Sequence, residues 1–251
     1  MTSKSEEDFQ YRDAGVTCRG RLILPRGGDV RPGVVVFPDF TGIGDHNVGR
    51  GHRLAEELGY VALVADLYGN GEAPARPEAR DVVASWLSRP GDLARRAAAA
   101  VDALEAHPRC NGRLGAIGFC FGGAAILALA RAGLSSLRAG VSFHGVLATP
   151  DIAVPGRTKA KLLVCHGADD PFVGALPLMG SAADMKSKTL GEFLEEMSAA
   201  RVDCQVIAYA GIVHAFTIPD ADTFAIPGSK YDKATDDRSW KAMTAFFEET
   251  L

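Results

Sequence analysis

Short apolar runs separated by longer amphipathic stretches restrict the folds open to this chain more than any other feature. Val34-Val35-Val36-Phe37 and Val61-Ala62-Leu63-Val64 are apolar at successive rather than alternate positions. Such runs suit strands covered on both faces, and their alternation with helical stretches is the βαβ pattern of a mostly parallel sheet. The expected fold class is therefore α/β, with helices on both faces of a central sheet. Strands are predicted over 17–24, 34–37, 61–65, 114–117, 140–143, 162–165 and 205–209, the first as an edge strand because it alternates and carries Arg19 and Arg21. Helices are predicted over 47–58, 77–87, 93–106, 121–131, 190–200 and 235–250. The stretch 219–230 is the longest loop-like segment, and loops of that length in compact domains are often functional.

At 251 residues the chain suits one domain, 1–251, with residues 1–10 expected to be flexible. A chain of this size buries roughly 70–75% of its unfolded surface, so its core needs no metal or disulfide staple. A net charge of −4 with no block of Lys and Arg argues against nucleic acid as a partner. The longest apolar stretch, 119–130, contains two glycines and is too short to span a bilayer, which excludes a membrane role. The start of the chain is polar and acidic, without the apolar segment of a secretory signal. The five cysteines form no C-x-x-C pair and read as reduced thiols, so the expected location is cytoplasmic. Neither a cofactor nor a metal is called for, and the chain is expected to be a monomer or homodimer.

The strongest local signal is Gly118-Phe119-Cys120-Phe121-Gly122-Gly123, between a predicted strand and a predicted helix. A sharp strand-to-helix turn lifts its central residue off the sheet and needs small neighbours, here Gly118 and Gly122. The helix N-terminus favours a thiolate at Cys120, the candidate nucleophile. A nucleophile of this kind needs a base and a group that orients the base. Cys165-His166-Gly167-Ala168-Asp169-Asp170-Pro171 follows one predicted strand and Val213-His214-Ala215-Phe216 another. Both turns open at the carboxyl edge of the sheet, where open α/β sheets bind ligands. Of the six histidines, His214 alone has the position of a base. His46 and His52 are expected to be exposed, His107 lies in a solvent turn, and His166 is read as structural. Asp170 is preferred to Asp169 because Asp-Pro starts a turn that can aim its carboxylate. Backbone N–H groups of Phe40 and Phe121 are the candidate oxyanion donors. Asp39, His144 and Phe216 are candidate pocket residues, with a turn or capping role the alternative for Asp39.

These residues, together with Ala65-Asp66-Leu67-Tyr68-Gly69, Ser142-Phe143-His144-Gly145, the stretch from His166 to Val173, and the ending with Tyr231, Trp240 and Phe247, resemble the dienelactone hydrolase family of α/β hydrolases. The resemblance implies an α/β-hydrolase fold and a Cys120-His214-Asp170 triad. It also implies cleavage of a small ester or lactone through a thioester, with oxyanion donors from Phe40 and Phe121. Residues 145–159 are too few for a helical cap domain, so a shallow pocket is expected. Well-studied members place a Glu where Asp39 stands and an arginine shortly after the histidine. Here Thr217-Ile218-Pro219 offers no cation, so weak discrimination in favour of anionic substrates is expected, with Arg76 or Arg80 the other possible source of charge. A redox-responsive or binding protein on the same fold is the alternative of a different class. A carboxylesterase or thioesterase with a different small substrate is the alternative within hydrolases.

Overall fold

The computed structural model describes residues 6–133, 136–172 and 188–251. Eight strands form one sheet: β1 (Glu6–Asp13), β2 (Val16–Ile23), β3 (Arg31–Phe37), β4 (Val61–Val64), β5 (Cys110–Phe119), β6 (Leu137–Phe143), β7 (Lys161–Gly167) and β8 (Cys204–Tyr209), in the order β1-β2-β4-β3-β5-β6-β7-β8. From β4 to β8 every pairing is parallel, and only β1 and β2 run antiparallel to their neighbours.

The β3 run explains why successive positions are apolar. Val35 and Phe37 enter a core with α3 (Pro90–Glu105) and α4 (Phe121–Ala132), while Val34 and Val36 enter one with α1 (Asp45–Glu57) and α6 (Lys233–Thr250). Both faces exclude water, so no alternation survives. The first core also takes Val83 and Leu87 of α2 (Arg76–Leu87) and Phe193 and Met197 of α5 (Leu190–Ala199). Ala97 and Ala100 of α3 are fully buried, and their small side chains let the helix lie close to the sheet.

Two expectations are corrected here. Residues 6–10, expected to be flexible, belong to β1, which pairs with β2 along its whole length from Glu6↔Ile23 to Asp13↔Val16. The edge strand is therefore β1, and β2 lies inside the sheet. The hairpin turns through Ala14 (φ 46°) and Gly15 (φ 89°), the paired left-handed geometry of a tight two-residue connection. The acidic Glu6-Glu7-Asp8 start hides this strand, because its outward positions face solvent. Val173 lies outside the described residues. No helix among the described residues is long and apolar enough to cross a membrane.

Candidate active site

Cys120 sits between the last residue of β5 and the first of α4, with φ 52° and ψ −109°. This left-handed conformation costs a non-glycine residue on the order of 1–3 kcal/mol and must be imposed by its surroundings. A Cβ on Gly118 would come within 2.1 Å of the Gly122 carbonyl oxygen, and one on Gly122 within 2.0 Å of the Phe37 carbonyl oxygen. Only glycine fits at either position, so the turn is pressed between its own helix and the end of β3. Cys120 N–H donates to the Phe143 carbonyl at 3.1 Å and the Cys120 carbonyl accepts from Ala124 at 3.1 Å, leaving the half-buried side chain projecting from the junction.

Asp170 lies three residues beyond β7, and His214 lies in the segment after β8. Their side chains meet at 2.8 Å between His214 Nδ1 and Asp170 Oδ2, both buried. Asp170 also accepts from the Phe172 N–H at 2.9 Å. Asp169 is exposed and holds the neighbouring segment through its own N–H, which donates to Ile212 O at 3.0 Å. The adjacent carboxylates thus have different jobs. The 219–230 loop turns back to hold His214: His214 N–H donates to Gly228 O and Lys230 N–H to His214 O, each at 3.0 Å. The ring of Phe172 packs against that of His214 at 4.6 Å between centroids.

Burial opposes charge on His214, but the Asp170 carboxylate and the Cys120 sulfur outweigh it and raise its pKa well above the ordinary range. Burial pushes Asp170 the other way from its partners, and His214, His166 and the Phe172 N–H prevail, lowering it. Three more histidines have lowered pKa values. Burial and the neighbouring histidines push His144 well down, and burial lowers His166. His46, expected to be exposed, is largely buried at the edge of Phe119, and burial with the Arg50 charge lowers it to about 3. His52 is half-buried and pairs with Glu6 at 3.0 Å.

Cys120 and His214 share one cavity of about 370 Å³. Phe40, Val146, Phe172, Ile218 and Phe224 make its walls largely apolar, and Arg76 and Arg80 enter from the start of α2. The Arg76 guanidinium stands over the Phe224 ring at 5.4 Å. Arg76 and Arg80, the other source of charge expected from the sequence, thus both reach the cavity wall from the start of α2. The segment 145–160 carries no helix, and the far rim is formed by the loop holding the short 3-10 turn Ala221–Phe224.

The three candidate pocket residues do not line this cavity. Asp39 is buried in its own turn, where its carboxylate accepts from Thr41 N–H at 2.9 Å, Thr41 Oγ1 at 2.7 Å and Asn47 Nδ2 at 3.3 Å. These contacts organise the loop that carries Phe40. His144 is fully buried behind His214, and its Nε2 lies 2.8 Å from Thr217 Oγ1. Phe216 is turned into the α1 and α6 core, edge-on to His144 and Tyr209, while Ala215 and Ile218 on either side reach the wall. Among the described residues, neither the Phe40 nor the Phe121 N–H has a protein acceptor. No group of three or more metal-ligating side chains occurs among the described residues.

This sheet order, with a strained cysteine at the β5–α4 junction, defines an α/β hydrolase acting on ester bonds. The profile of the dienelactone hydrolase family matches residues 18–251, and the chain belongs to that family. The crystal structure of a dienelactone hydrolase-like promiscuous phosphotriesterase from metagenomic libraries is similar, with 37% identity, TM-score 0.85 and 98% of each chain covered. A Bradyrhizobium protein named "Probable 2-oxo-3-(5-oxofuran-2-ylidene)propanoate lactonase" is 29% identical over 197 residues, covering 74% of this chain and 73% of its own. An uncharacterised Caenorhabditis elegans protein is 35% identical over 166 residues, 65% of this chain and 97% of its own.

Proposed function

We propose that this hydrolase cleaves small esters or lactones by acyl transfer through Cys120, with His214 as base and Asp170 orienting it. The observation that carries this reading is the buried 2.8 Å contact between His214 Nδ1 and Asp170, in the wall of the cavity onto which Cys120 opens. A redox sensor or a simple binder has no need of such an ordered acid–base pair.

In the first step Cys120 Sγ attacks the carbonyl carbon as His214 holds its proton. The carbonyl electron pair moves to oxygen and is met by the Phe40 and Phe121 N–H groups. Collapse expels the alcohol, which takes its proton from His214 and leaves a thioester on Cys120. His214 then removes a proton from water, hydroxide adds to the thioester, and the acid leaves as Cys120 returns to its resting state. Asp170 keeps the His214 tautomer that directs its other nitrogen toward Cys120.

The Arg76 guanidinium on a largely apolar wall suits a substrate with a carboxylate and a small apolar body. The lactonase name of the Bradyrhizobium relative favours a carboxylated lactone. The test is brief exposure to p-nitrophenyl acetate followed by acid quench and peptide mass mapping. The acetyl group is expected on the peptide carrying Cys120, and an acyl group on another residue would overturn the reading.

A further inference from the structure

Tyr68 lies in the turn after β4 and contacts both segments that carry the oxyanion donors, although it does not line the cavity. Its hydroxyl donates to the Phe40 carbonyl at 2.9 Å, and its ring stacks on that of Phe121, with centroids 5.6 Å apart and planes 23° from parallel. We propose that Tyr68 is a positioning residue that holds the Phe40 and Phe121 N–H groups at the separation a tetrahedral oxyanion needs. This rests on the acyl-transfer reading above and deepens it.

The turn that presents Tyr68 is rigid for a local reason. The Asp66 carboxylate accepts from four backbone N–H groups: Tyr68 at 3.1 Å, Gly69 at 2.7 Å, Gly71 at 2.7 Å and Arg19 at 2.9 Å. The Tyr11 hydroxyl ties the Asp66 backbone to β1, donating to its carbonyl at 3.0 Å. Residue 40 is clamped from both directions, by the Asp39 carboxylate gripping Thr41 and by the Tyr68 hydroxyl gripping the Phe40 carbonyl. Neither contact uses the Phe40 N–H, which stays available. Burial, with the charges of Cys120 and Asp39, pushes the Tyr68 hydroxyl well above its ordinary range, so it remains a donor at any working pH. An oxyanion hole helps only where its donors are already in place when charge develops, and removing one donor directly costs about 10²–10³ in rate. Loss of a brace acting through Phe40 should cost less, about tenfold.

Hydrolysis of p-nitrophenyl acetate is first compared between wild type and Cys120→Ala. If the variant retains the activity, the acyl-transfer reading fails, and this proposal with it. If the activity is lost, Tyr68→Phe, which keeps the stacking ring and removes the hydroxyl, tests Tyr68 alone. Its kcat is expected to fall about tenfold with KM changed less than about twofold. The inhibition constant of a small aldehyde, which adds to Cys120 as a hemithioacetal, should rise in parallel. The rate of Cys120 alkylation by iodoacetamide should stay within about twofold, because alkylation develops no oxyanion. Both reactions read the same folded fraction, so their ratio holds even if the variant melts earlier. An unchanged kcat, or alkylation falling in step with hydrolysis, would overturn the proposal.

Discussion

Cys120 differs from the other four cysteines in a way that chemistry can read. Burial raises Cys18 and Cys110, and pushes Cys165 and Cys204 up to about 12, so none of these supplies thiolate near neutral pH. Cys120 stands at a helix N-terminus against His214. Iodoacetamide near pH 7 should therefore label Cys120 first, as read by peptide mapping, and prior labelling elsewhere would contradict an activated thiol. The adjacent acids separate just as sharply. Asp170→Asn removes the group that holds the His214 tautomer and should lower kcat/KM by about 10²–10³, less than in serine triads because a thiol leans less on its base. Asp169→Asn changes an exposed side chain and should cost less than about tenfold. Equal losses would mean that Asp170 does not orient the base.

Among the elements, α2 matters most for substrate choice. Its first two turns bring Arg76 and Arg80 to the wall of the cavity that Cys120 and His214 share, the charge that the segment after His214 does not offer. The carboxylated lactone should be favoured over a neutral ester of similar size. Arg76→Ala should raise KM for the lactone about three- to tenfold while leaving the neutral ester within about twofold. That range corresponds to about 0.7–1.4 kcal/mol, a modest value for an exposed charge that salt screens. Equal effects on both substrates would show that Arg76 supports the rim through Phe224 rather than binding charge. α5 is held by a different device: Glu196 accepts from Arg131 of α4 at 2.8 Å and 2.9 Å and from the Ala153 N–H at 2.7 Å. Glu196→Gln leaves the buried Arg131 without its counter-charge and should destabilise the fold by about 2–4 kcal/mol in denaturant titrations.

At the scale of the whole molecule, the buried histidines set the pH response of stability. His46, His144 and His166 have folded pKa values below the ordinary value of about 6.5. Between that value and their folded ones the unfolded chain binds protons that the folded chain refuses. Their contribution is therefore present above pH ~6.5 and is lost as pH falls, each by up to about 1.4 kcal/mol per pH unit. His214 is raised and has the opposite sign. Its contribution is complete below pH ~6.5 and declines as pH rises from there to its folded value, so below pH ~6.5 it does not offset the acid loss. The free energy of unfolding should drop between pH 7 and 5, above the range in which carboxylates titrate, and His144→Gln should reduce the slope. Constant stability over that interval would show that these rings are solvated.

Features that depend on chain neighbours were legible without coordinates. The apolar runs of β3 and β4 specify central strands because burial on both faces leaves no polar position. Gly118 and Gly122 announce the sharp turn because no Cβ fits beside it. The strand-end positions of Asp170 and His214 follow from the same periodicity. What the tertiary structure alone decided depends on where separate elements come to rest. Asp39 spends its carboxylate on its own turn because Thr41 and Asn47 fold back onto it, and Phe216 faces the core because the segment after β8 turns it there. The edge strand passed to β1 because an acidic stretch pairs through its backbone, which carries no side-chain pattern. Arg76 and Arg80 became part of the cavity because α2 packs against α3 and its start faces the opening shared with Cys120. Periodicity and steric exclusion are written between residues a few positions apart. Which side chain reaches a cavity is set by packing between elements dozens of residues apart, and no local pattern records it.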